Sequence, residues 1–223
     1  RTHPLTKNRM EQIKSQVGTS KIIEERPEDI LLYDRLVAKL EGFLNPPGKV
    51  LLKYPTNNKS IAARYARSIA YYRIPQLDKA LKELNYLIKD YPEDPYFHEL
   101  KGQILYENGY TRDSIDSFKK ALHLKPNSSL IILALSAAKI ETNDNTFLNE
   151  VIEDIESILL NEPNNILAWD LKGTAHHRKG EEALSLLSAA ESSIRKGKIK
   201  EAEMFVNRAR KNLILNSPAD IRA

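Results

Sequence analysis

Pro92 and Pro126 stand 34 residues apart, and what lies between them repeats in kind what comes before. A shift of that length towards the N-terminus places Ser114 on Ala80, Gly102 on Ser68, Phe118 on Leu84 and Tyr106 on Tyr72, keeping size or hydrophobicity at each place. A period of this length holds two helices and two turns. One such unit cannot bury its own apolar face, so the period requires stacked neighbours. In the unit from Pro95 to Ser128, Gly102 falls where the two helices must approach closely. Gly109 ends the first helix, where a left-handed backbone costs Gly little. Ser114, Phe118 and Ala121 space out the buried face of the second helix, and Pro126 closes the unit before the next one begins.

Towards the C-terminus the proline recurs at Pro163, 37 residues on, and Gly102 and Gly109 recur at Gly173 and Gly180, each 71 residues on. The surplus over 34 predicts a lengthened connection or helix near Thr142–Phe147. These anchors are the spacing of tetratricopeptide repeats, and they predict an all-α, right-handed superhelix of helical hairpins. The expected array spans 59–223, with repeats near 61–94, 95–128 and 129–165, a partial unit at 166–180, and a capping pair at 181–215. Leu130 to Glu141 is apolar all round and is expected in mid-array, buried on both sides.

Ahead of the array, Thr6 can cap a helix over 7–17 that Gly18 ends. A second helix starts at Pro27, with Ile30, Tyr33, Val37, Leu40 and Leu44 on one face at spacings of three and four. Asn45-Pro46-Pro47-Gly48 stops it, and Pro55-Thr56-Asn57-Asn58 breaks the chain again.

The chain has 223 residues and no Cys, which leaves neither a disulfide framework nor a thiolate metal site. No apolar run reaches the roughly 18 residues of a membrane span. The net charge is +4 with both signs interspersed, and no basic stripe interleaved with aromatics points to nucleic acid. The five histidines, His3, His98, His123, His176 and His177, show no pair at the spacing of a zinc helix, and the adjacent pair His176–His177 diverges on a helix. His98-Glu99 reads as a surface dipeptide. No metal site, cofactor site or catalytic constellation is expected in this chain.

Binding is the function that remains. In an array of this kind the first helix of each unit lines the concave face, which places Tyr65, Ile69, Tyr72, Arg73, Tyr96, Leu100, Gln103, Tyr106, Asp170 and His177 in a groove. Aromatic anchors with a few polar groups suit an extended or unfolded polypeptide. Lys and Asn are not at the positions of Tyr65 and Ile69, which argues against a clamp for a chaperone's C-terminal carboxylate.

The segments Thr2-His3-Pro4-Leu5 with Arg9, GFLNPP at 42–47, YARSIAYYR at 65–73 and PYFHELKGQILYENG at 95–109 resemble the C-terminal half of bacterial BepA-like zinc metallopeptidases. The resemblance implies that 1–58 is a helical linker from a preceding catalytic domain holding an HExxH zinc site, and that zinc belongs there rather than here. It also implies a periplasmic location, partners that include unfolded outer-membrane polypeptides and the chain's own N-terminal peptidase domain, and a regulatory approach of His3 to the metal. Because the chain begins at Arg1, it is expected to be a piece of such a protein. The alternative is a free-standing assembly scaffold with no peptidase.

Overall fold

The computed structural model describes residues 27–212, together with the helical residues Glu11 and Ser15. The cap at Thr6, most of the helix at 7–17, His3 and everything after Asn212 lie outside the described residues. Within them the chain is helical throughout, with no strand. The helices are α1 (Pro27–Leu44), α2 (Pro47–Lys53), α3 (Ile61–Arg73), α4 (Leu77–Asp90), α5 (Pro95–Glu107) and α6 (Thr111–Leu124). They continue as α7 (Ser129–Glu141), α8 (Leu148–Asn161), α9 (Ile166–Arg178), α10 (Glu182–Arg195) and α11 (Ile199–Ala209). A 3-10 turn, Asn145–Phe147, takes up the surplus residues before α8, at the lengthened connection the 37-residue step predicts.

Local chemistry sets the helix ends. Ser60 Oγ accepts from the Ala63 N–H at 3.2 Å, and Asn165 Oδ1 accepts from Ala168 at 3.1 Å. Asp94 Oδ1 accepts from Tyr96 at 3.0 Å, with Pro95 filling the first helical position where no donor is needed. Gly109, Gly180 and Gly197 take φ of +82°, +77° and +74° in three of the turns between helices.

Packing proceeds by neighbours. Helix α3 pairs with α4 and α5 with α6, while α7 packs on α6, α8 and α9. As its composition predicts, α7 is buried around most of its circumference, through Ile131, Leu133, Leu135, Ala138 and Ile140. Ala138's neighbour Lys139 is fully buried too, its ammonium 2.8 Å from Glu150 and 3.7 Å from Asp154. At the C-terminal end the observed pairing differs from the expected division at Gly180. Helix α9 packs on α10, because the tight turn at Gly180 folds α10 straight back, and α10 then carries α11 on its other side. The fourth hairpin is therefore complete, and α11 caps it.

The apolar face of α1 points away from the array: Ile30, Tyr33, Leu40 and Leu44 are 45%, 66%, 58% and 76% exposed. The helix packs on α3 through its small side instead, with Ala38 among Val50, Ala66 and Ala70, and Gly42 against Ile69. A Cβ on Gly42 would come within 2.9 Å of Ile69 Cβ, so the bulky face could not approach this closely. Arg73 Nη1 donates to Gly42 O at 2.8 Å and to Asn45 O at 2.5 Å, and Arg35 pairs with Asp94 at 2.6 Å.

Candidate peptide-binding surface

The residues expected to line a groove divide into two groups. Tyr65, Ile69 and Leu100 are buried to 2%, 0% and 3% exposure and belong to one core cluster with Leu84, Leu87, Phe97 and Ile104. They are core residues, not groove residues, and α1 is the reason for Ile69: it lies over the face of α3 that Ile69 presents. Tyr65 packs edge-on to Phe97 with ring centroids 5.3 Å apart. Its buried hydroxyl finds no hydrogen-bond partner, and burial pushes the phenol well above its ordinary range. An unsatisfied buried hydroxyl costs about 1–3 kcal/mol, so Tyr65→Phe should raise stability by roughly 1 kcal/mol, read from a chemical denaturation midpoint. A drop would show that the hydroxyl holds a water that matters.

Arg73 is exposed but committed to the carbonyls that end α1. Tyr96 borders the same region, with Lys39 Nζ 5.8 Å from its ring centre and Lys125 Nζ donating to its hydroxyl at 2.6 Å. Of the N-terminal half of the expected groove, Tyr65, Ile69 and Leu100 are thus buried by the chain itself, while Tyr96 stays exposed.

The second group remains at the surface. Tyr72 Oη donates to Glu107 Oε2, and Gln103 Nε2 donates to Glu107 Oε1 at 3.0 Å, tying α3 to α5 across a polar node. Burial raises the Glu107 carboxyl above the usual carboxylate range. Tyr106 does not stand beside Tyr72 as a matching free ring. It is half-buried against Ile115, Phe118, Leu135 and Ala138, and burial, followed by the charge of Glu141, raises its phenol. Further along, Asp170 is exposed and held by Ser192 Oγ at 2.5 Å and Lys196 Nζ at 3.0 Å, and His177 is exposed on α9. Arg178 donates to Ile140 O and joins α9 to α7.

The histidines play other parts. His98, expected at the surface, is buried, and its Nε2 donates to Pro92 O at 2.8 Å, because the turn before α5 folds back over it. His176 Nδ1 lies 2.6 Å from Glu181, whose carboxyl is held below its usual range by Lys179 and then by His176. Among the described residues no group of three His, Cys, Asp or Glu side chains could hold a metal ion.

A small cleft of about 180 Å³ opens between α9, α10 and α11, lined by Trp169, Lys172, Leu187, Glu191, Ile194 and Val206. Trp169 is fixed there by a bond from Nε1 to Pro163 O at 2.9 Å and by the Arg195 guanidinium 4.9 Å from its ring centre.

Three features escaped the sequence reading. Arg67, Lys139 and Gly42 are all buried, and the two cations had a visible trace, each lying inside an apolar helical run with carboxylates on the following helix, Glu83 for Arg67 and Glu150 for Lys139.

No family model and no curated protein matches the sequence. Solved structures do match. MamA 41-end from Desulfovibrio magneticus RS-1 superposes with a TM-score of 0.54 at 16% identity, covering 66% of this chain and 92% of that one. An RS-1 MamA ArsTM double mutant gives 0.56 at 15%, covering 70% and 85%, and MamA MSR-1 C2 gives 0.54 at 14%, covering 80% and 98%. MamA is a helical-repeat protein of tetratricopeptide type, and at these identities the likeness carries the fold: this chain is an all-α array of that type.

Proposed function

We propose that this chain is a non-catalytic, protein-binding array that engages extended polypeptide on the surface left open by α1. The observation that carries the reading is the node of Tyr72, Gln103 and Glu107, where an aromatic side chain and hydrogen-bonding groups from two successive repeats meet at a half-exposed site. Such a site can hold an apolar side chain on the ring and a backbone amide on the carboxylate. The likeness to other tetratricopeptide arrays supports the class of function without naming a ligand.

The finer reading, a regulatory and partner-binding domain of a periplasmic zinc metallopeptidase acting in quality control of outer-membrane proteins, rests on the sequence resemblance alone. In it, zinc, the peptidase domain and any approach of His3 to the metal belong to the intact protein. Reading the coding sequence upstream of Arg1 tests this part. An HExxH there supports it, and a gene without one leaves a free-standing scaffold.

The binding itself is tested with an unfolded outer-membrane porin as probe, titrated against the chain and a Tyr72→Ala, Gln103→Ala variant. Affinity should fall by roughly tenfold or more, since each anchor contributes on the order of 1–2 kcal/mol, and because the Tyr72 ring also packs partly on the core the titration is made well below the variant's own melting temperature. Unchanged binding would remove this surface from the reading.

A further inference from the structure

The outward face of α1 is a regular seam. Ile30, Tyr33, Val37, Leu40 and Leu44 follow one another at intervals of three, four, three and four, the a and d positions of a heptad. Leu36, 53% exposed, widens it. The opposite side of the helix is held against α3 by Ala38 and Gly42, which leaves Ile30, Tyr33, Leu40 and Leu44 exposed with Val37 half-buried between them. End surfaces of helical arrays are polar when nothing stacks on them, and this one is not.

The charges of α1 are sorted by side. Its two cations turn to the array: Arg35 pairs with Asp94 and lies 4.8 Å from the Phe97 ring centre, and Lys39 faces Tyr96. Bordering the seam are carboxylates, Asp34, which is exposed, and Glu41, which Lys53 Nζ and Tyr54 Oη approach at 2.6 and 2.9 Å. These two occupy e positions, the flank that selects partners in paired helices.

We propose that this seam docks one amphipathic helix of a protein partner, with apolar residues at heptad spacing and Lys or Arg beside them. A second copy of the chain is a poorer occupant. Antiparallel two-fold pairing would set Asp34 of one copy against Glu41 of the other, acidic against acidic and relieved only in part by the Lys53 that each Glu41 already holds. The site is separate from the Tyr72 node and does not depend on it.

The test uses the full chain and two synthetic peptides of roughly three heptads, both with Leu at a and d, one with Lys and the other with Glu at e and g. Fluorescence anisotropy should show the Lys-flanked peptide binding at least tenfold more tightly. Leu40→Lys should abolish that binding with helical content unchanged, and Asp34→Lys should remove the preference between peptides. Leu160→Lys, at an 85% exposed leucine off the seam, should leave both peptides unaffected. Equal affinity for the two peptides, no binding, or binding that survives Leu40→Lys would overturn the proposal. So would a dimer in sedimentation that Leu40→Lys splits, which would assign the seam to a second copy.

Discussion

Replacing Arg67 by Met should destabilise the chain by about 3 kcal/mol, at the lower end of the 3–5 kcal/mol typical for removing one partner of a buried ion pair. The guanidinium is fully buried and bonded on every side. Nε and Nη2 donate to the two oxygens of Glu83 at 3.1 and 2.9 Å, and Nη1 donates to Pro55 O and Asn58 O at 2.9 and 2.8 Å. One side chain therefore locks α4 and the 54–58 loop to α3. Its removal leaves a mostly buried carboxylate and two carbonyls short of donors. Arg64, whose Nη1 is 3.2 Å from Glu83, retains part of the pairing and keeps the loss from the upper end.

Lys at position 67 should rescue little, because a point charge cannot fork between a carboxylate and two carbonyls. An Arg67→Met, Glu83→Leu double variant should recover only part of the loss, since the orphaned carboxylate is removed while Arg64 loses its partner and the two carbonyls stay short of a donor. In an array each repeat leans chiefly on its neighbours, so hydrogen exchange should accelerate most over 27–60 and least over 129–195. A melting curve like the parent's would show that the clamp is dispensable.

Gly102→Leu should cost roughly 1–3 kcal/mol through overpacking. A Cβ at that position would meet Phe118 Cδ1 at 2.6 Å, and Phe118 is 1% exposed with no room to withdraw. The repeat-equivalent Gly173 behaves differently. Its Cβ would find Ser185 O and Ser188 Cβ at 3.4 Å, ordinary contact, because Ala189 stands where the 71-residue step places Phe118. Gly173→Ala should therefore be neutral, or stabilising by up to about 1 kcal/mol from helix propensity. Thermal melting of the pair decides it; similar losses at both glycines would mean that the two crossings are equally close.

The contrast between those glycines shows how far a repeat pattern reaches. The period placed both at helix crossings, and both are buried in the first helices of their hairpins. How tight each crossing is depends on the residue opposite, sixteen positions later on another helix.

Helix existence, helix ends and the succession of hairpins were legible in the sequence of this protein because their causes are local. Caps such as Asp94, turns such as Gly109 and an apolar stripe at helical spacing act within a few residues. Amphipathicity in α1 was legible as an apolar stripe, whereas the side of the helix that meets the array was not. An apolar face states what a helix can bury, whereas small residues decide what it can approach. Ala38 and Gly42 admit α3 to close contact, and the bulky face is left outside. That choice is made by partners far along the chain, Arg73 to the end of α1 and Asp94 to Arg35, and no window of local sequence contains both sides of such a contact. The same placement turned Ile69 from an expected ligand contact into core and left Tyr72, Gln103 and Glu107 as the open surface, so the fold was written in the periodicity while the site was decided only by tertiary packing.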